Sequence, residues 1–141
     1  MLSTAGYYRV LQKETPAGGE YWANVTSGLA SPAVASRADI VATARRLVSG
    51  LDDAYYPKHT VQGRQEKSTT VDGHQGYLTT YVAQFDPAST KGYTAKSEQV
   101  TVLVVDTGQP LPAVLYVSMP DQVKSLWKSV DGLIASVRVL P

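Results

Sequence analysis

The chain contains no cysteine. That excludes disulfides, thiolate nucleophiles, cysteine zinc sites and iron–sulfur clusters. Histidine is nearly as scarce: only His59 and His74 are present, so no multi-histidine metal centre is expected. Charge of one sign is also lacking. Thirteen Lys and Arg stand against twelve Asp and Glu, a formal charge of +1. This balance lacks the basic excess of a general nucleic-acid binder, so no nucleic-acid partner is expected. No apolar run approaches the ~20 residues of a membrane-spanning helix. The opening residues, Met1 to Gly6, show no charged region followed by an apolar stretch. Gly-x-Ser-x-Gly, P-loop and Gly-x-Gly-x-x-Gly signatures are all missing. No cofactor is expected from the motifs.

What is present reads as one globular unit. With 141 residues and 43% hydrophobic content, the chain is expected to form a single domain over residues 1–141 with one core. Tyr7 to Lys13 and Glu20 to Leu29 read as strands, joined as a hairpin across the breakers of residues 14–19. Residues 37–54 carry a helical period, with Ile40, Ala44, Leu47 and Leu51 on one face. Ser36 is the expected N-cap and Asp39 the capping-box acid. Pro57 ends the helix region, and Asp52 and Asp53 at its close read as a solvated helix end.

Thr60 to Val71 is β-leaning, and Asp72-Gly73 is a strong hairpin signal leading into the strand Gln75 to Phe85. Residues 97–106 form a near-continuous apolar run, as expected of a central strand buried on both faces. Ala113 to Met119 is its expected antiparallel partner. A second helix, capped by Asp121, is expected to bury Val123, Leu126, Trp127, Val130, Leu133 and Ile134. A short final strand, Ala135 to Leu140, closes the chain. The expected fold is α+β, an antiparallel sheet of five to seven strands flanked by two main helices.

This order of elements resembles the Mog1/PsbP-like fold. The helix ending at Tyr55-Tyr56-Pro57, the hairpin from Lys67 to Tyr77 and the passage Ser118-Met119-Pro120-Asp121 into a helix carry the likeness. Within that group the chain is most similar to actinobacterial extracytoplasmic domains of the LpqN lipoprotein type and related domains of unknown function. The resemblance implies a non-enzymatic accessory or binding domain outside the cytoplasmic membrane. Membrane association would come only through an anchor that the given residues do not contain.

Aromatic residues are the main chemical signal. Nine tyrosines and two tryptophans stand against one phenylalanine. They suit either cross-strand pairs or a binding face. Trp22, Tyr55 and Tyr56 are the first candidates for a ligand or partner surface, with His59 and His74 beside them. Three functions stay open. The first is a non-catalytic binding domain for a protein or other unknown ligand. The second is a small-molecule binder with an apolar, lipid-like ligand between sheet and helix. The third is a small enzyme with His59 or His74 as general base, which requires a histidine in a cleft beside a carboxylate.

Overall fold

The computed structural model describes residues 5–36 and 38–141; the helix start expected at Arg37 lies outside the described residues. The structure is α+β. Six antiparallel strands form one sheet: β1 (Ala5–Gln12), β2 (Tyr21–Leu29), β3 (His59–Val71), β4 (His74–Phe85), β5 (Ser97–Val105) and β6 (Ala113–Pro120). Their order in space is β1-β2-β6-β5-β4-β3. One long helix, α1 (Ile40–Tyr55), packs on one face, and a 3-10 segment (Asp121–Ser129) with a short helix, α2 (Val130–Ala135), follows the last strand.

The apolar run does become a central strand. Val100, Val102 and Val104 of β5 pack beneath Ile40, Ala44, Leu47, Val48 and Leu51 of α1. The alternate residues Leu103 and Val105 turn to the opposite face, where they join Val71. Strand parity thus divides one apolar stretch between two cores. The hairpin between β3 and β4 turns at Asp72 (φ 48°) and Gly73 (φ 78°). Two successive positive φ angles define the turn that matches strand twist, and they explain the Asp-Gly pair.

Helix α1 begins later than its periodicity suggests. Asp39, not Ser36, is the N-cap: its Oδ1 accepts from the Ala42 amide at 2.9 Å. The Ser36 amide instead donates to Thr43 Oγ1 at 2.8 Å, so the segment before the helix is tied to its first turn. The helix stops at Tyr55 because Tyr56, preceding Pro57, is extended.

The C-terminal region departs most from expectation. The expected second helix is a nine-residue 3-10 segment, kinked at Val123, followed by only six α-helical residues. Ser125, Ser129 and Gly132 are weak helix formers at the points where a continuous helix would need support. Only Val123 and Val130 are fully buried; Leu126 is exposed, and Trp127 is half-buried with its indole N–H donated to the Met119 carbonyl at 2.8 Å. Asp121 caps nothing, since its Oδ1 accepts from the Lys96 amide at 3.1 Å. The expected final strand is absent. Val137 and Val139 pack on the Val71–Leu103–Val105 cluster, and the Val139 amide donates to the Asp72 carboxylate at 2.7 Å. The apolar alternation there is satisfied by packing and the backbone by a side chain, with no strand partner.

Candidate functional site

An α-helix is about 10 Å across, and strands lie about 4.8 Å apart. One helix therefore covers two or three strands of six. Helix α1 sits over β4 and β5, with Tyr116 of β6 at its margin. The β1–β2 wing projects beyond it. Between the wing and α1 lies an open cleft of about 850 Å³.

Its walls are aromatic. On the wing, Tyr8 and Trp22 stack with ring centroids 4.8 Å apart. On the helix side, Tyr55 stacks over Tyr116 at 6.5 Å. These walls face solvent: Tyr8 is 61% exposed, Trp22 44% and Tyr55 54%. Isolated exposed apolar residues are ordinary, but a contiguous aromatic surface lining a concavity is not. Gly50 stands in the helix wall, where a missing side chain widens the opening. A second lobe of about 520 Å³ adjoins across Tyr21 and Tyr56 and reaches Phe85 and Tyr93.

The floor is polar and buried. Glu98 of β5 is 2% exposed. Its Oε2 accepts from the Tyr21 hydroxyl at 2.5 Å, and its Oε1 accepts from Ser118 Oγ. Ser118 Oγ also meets the Tyr56 hydroxyl at 3.1 Å, and that hydroxyl pairs with the Tyr116 hydroxyl. Burial pushes the Glu98 carboxyl up to about 8; the hydrogen bond from Tyr21 opposes the rise, and the negative charge of Asp121 adds to it. The same burial raises the Tyr21, Tyr56 and Tyr116 hydroxyls above the usual phenol range.

Of the residues singled out from the sequence, Trp22, Tyr55 and Tyr56 line this cleft. His59 and His74 do not. His59 Nδ1 donates to the Pro57 carbonyl at 2.7 Å, and its Nε2 lies 3.4 Å from Asp52 Oδ2. Asp52 also accepts from the Tyr81 hydroxyl. The acid at the helix end is thus a tie between α1, the following loop and β4, correcting its reading as a solvated terminus. His59 belongs to that tie, with both ring nitrogens engaged. His74 opens β4 at the other end of the hairpin, its Nδ1 3.1 Å from the Asp106 carbonyl. Along β4 it lies nine residues, roughly 30 Å, from Ala83, the partner of Glu98, and eleven residues from Phe85, the partner of His59, so the two histidines form no common site.

Glu98 and Ser118 were not singled out. A signal for them existed. Glu98 shares strand parity with Val100, Val102 and Val104, which places a carboxylate on the apolar face. Tyr116 and Ser118 pair across from Val102 and Val100 and share that face.

No protein-family model and no curated protein sequence matches the chain. Among solved structures, the chain is similar to PA94 from Pseudomonas aeruginosa, a protein of unknown function described as a candidate regulator. The match has 16% identity and a TM-score of 0.57, over 100% of this chain and 85% of that one. At that identity the likeness concerns the fold alone.

Proposed function

We propose that this protein is a non-catalytic binding domain whose cleft between the β1–β2 wing and α1 holds a small ligand with an aromatic or apolar body. The observation that carries the reading is the exposed aromatic wall of Tyr8, Trp22 and Tyr55 around a concavity of about 850 Å³. That volume falls in the range typical of small-molecule sites, as does the combination of apolar walls with a few polar groups on the floor. The extracytoplasmic setting implied by the Mog1/PsbP-like, LpqN-type resemblance is part of the same proposal. A catalytic reading through histidine finds no support in the cleft, because neither imidazole reaches it.

The test is titration with the neutral fluorophore N-phenyl-1-naphthylamine. The expected outcome is saturable uptake at one site, weakened at least tenfold by the double substitution Trp22→Ser with Tyr55→Ala. Uptake that is absent, or unchanged by that pair, would overturn the reading.

A further inference from the structure

The cleft floor has an unbalanced feature. Tyr21, Glu98, Ser118, Tyr56 and Tyr116 are five groups joined by four hydrogen bonds. The four hydroxyl protons fill those four bonds when Glu98 is ionised: Tyr116 donates to Tyr56, Tyr56 to Ser118, and Ser118 and Tyr21 to the carboxylate. A protonated Glu98 brings a fifth proton for which the chain of bonds has no acceptor. With Glu98 ionised, every donor of the chain is free to point towards the carboxylate. Yet no Lys, Arg or His among the described residues pairs with Glu98. Each carboxylate oxygen accepts one hydrogen bond and retains room for another.

No positive side chain among the described residues pairs with Glu98 from the elements around it. Tyr21 approaches from β2, Tyr116 and Ser118 from β6, Tyr56 from the end of α1, and Asp121 from beyond β6. From β4 the paired residue is Ala83. Lys96, two residues away, donates its ammonium to the Tyr93 carbonyl. Glu20 and Arg46, one charge of each sign, also line the cleft, and Glu20 accepts from the Trp22 indole N–H at 3.1 Å. The cleft thus pairs a buried acid lacking a counter-ion with the faces of Tyr8, Trp22, Tyr55 and Tyr116 above it. Aromatic faces attract cations, and a carboxylate in low dielectric attracts them more.

Building on the binding reading above, we propose that the occupant of the cleft is an organic monocation, an aromatic or alkyl body bearing an ammonium group that meets Glu98 at the floor. The body lies between the aromatic walls, and the ammonium donates to the free lone pairs of the carboxylate. Because burial holds the Glu98 proton up to about pH 8 in the empty cleft, seating a cation expels that proton. Binding is therefore coupled to pH. Affinity for a cation rises about tenfold per pH unit below 8 and levels above it.

Isothermal titration with phenethylamine and its neutral counterpart 2-phenylethanol, between pH 6 and 9, tests this. Phenethylamine stays protonated across most of that range. The expected result is tighter binding of the amine, an affinity that climbs with pH to about 8, and close to one proton released per ligand near neutrality. Glu98→Gln should remove both the preference and the pH slope. Tyr55→Ala should weaken both compounds and leave the slope in place, which separates a loss of wall from a loss of charge recognition. If the alcohol binds as tightly as the amine, or if Glu98→Gln keeps the slope while its melting transition shows it folded, the cation inference fails and the cleft reading stands. The inference also fails if neither compound binds while N-phenyl-1-naphthylamine does. If none of the three binds, both readings fall together.

Discussion

The two halves of the sheet are built on different terms. In the β4–β5–β6 half, residues are covered on both sides: Val100, Val102, Leu103 and Val104 have no exposed surface. Helix α1 closes one face, and the C-terminal segment closes the other. In the β1–β2 half, the large side chains stay open, with Tyr7 86% and Tyr8 61% exposed. Both halves share one hydrogen-bonded sheet, so backbone pairing does not separate them. Coverage does. A single helix too narrow for six strands leaves both edges largely bare, β3 on one side and the β1–β2 wing on the other, and the cleft lies against the β1–β2 wing.

The largest effect should come from placing a charge in the covered half. Val102→Asp leaves a carboxylate with no partner between α1 and the sheet, and it should cost upward of about 4 kcal/mol, read as a fall in the urea midpoint or failure to fold. A Val102→Asp protein as stable as the parent would break the distinction between the halves.

An intermediate effect sits at the seam, where Glu98 lies. Its folded-state value of about 8 stands above the 4.5 of an ordinary glutamate. The native state therefore holds this proton more tightly than the unfolded chain. The stabilising contribution is full below about pH 4.5 and lost as pH rises to about 8, at up to about 1.4 kcal/mol per unit. Glu98→Gln should flatten that decline, so the variant gains on the parent as pH rises from 5 to 8. A parent stability that does not fall over this window would contradict the buried, unpaired state of Glu98.

The smallest effect belongs to the open wing. Tyr8→Asp should change stability by less than about 1 kcal/mol, because the ring is mostly in solvent and loses little beyond its stacking on Trp22. A larger loss would mean that the wing depends on its aromatics for folding, and not only for a ligand.

Much of the fold was legible because burial imposes a period. The alternation from Tyr77 to Phe85, the apolar run of β5 and the Asp72-Gly73 turn each state their conformation locally. The C-terminal region was less legible because its pattern has two solutions. Val137 and Val139 alternate as a strand would, but a carboxylate from Asp72 and a patch of core met the same needs. The site divides in the same way. Trp22, Tyr55 and Tyr56 were found because large amphipathic side chains mark surfaces. Glu98 went unnoticed, since its meaning depends on which strand faces which. His59 and His74 drew notice for their chemistry, yet each is held by neighbouring backbone. One-dimensional pattern shows which side of an element is covered, and seldom what covers it.

The strand order carries a consequence for how this protein comes into being. From β3 to β6 every pairing joins neighbours along the chain, so this portion is a meander of local closures. The β2–β6 pairing is different: Asn24 meets Ser118, about ninety residues further along. Closing so long a loop is entropically the most costly step and is rewarded only when both strands are in place. That pairing sets the wing beside Ser118, where the Tyr21 hydroxyl donates to Glu98. The wing precedes the other strands along the sequence and finds its place only when β6 is available to pair with it. The cleft is then assembled in the final stage of folding, and the protein cannot hold a ligand there until β6 is in place.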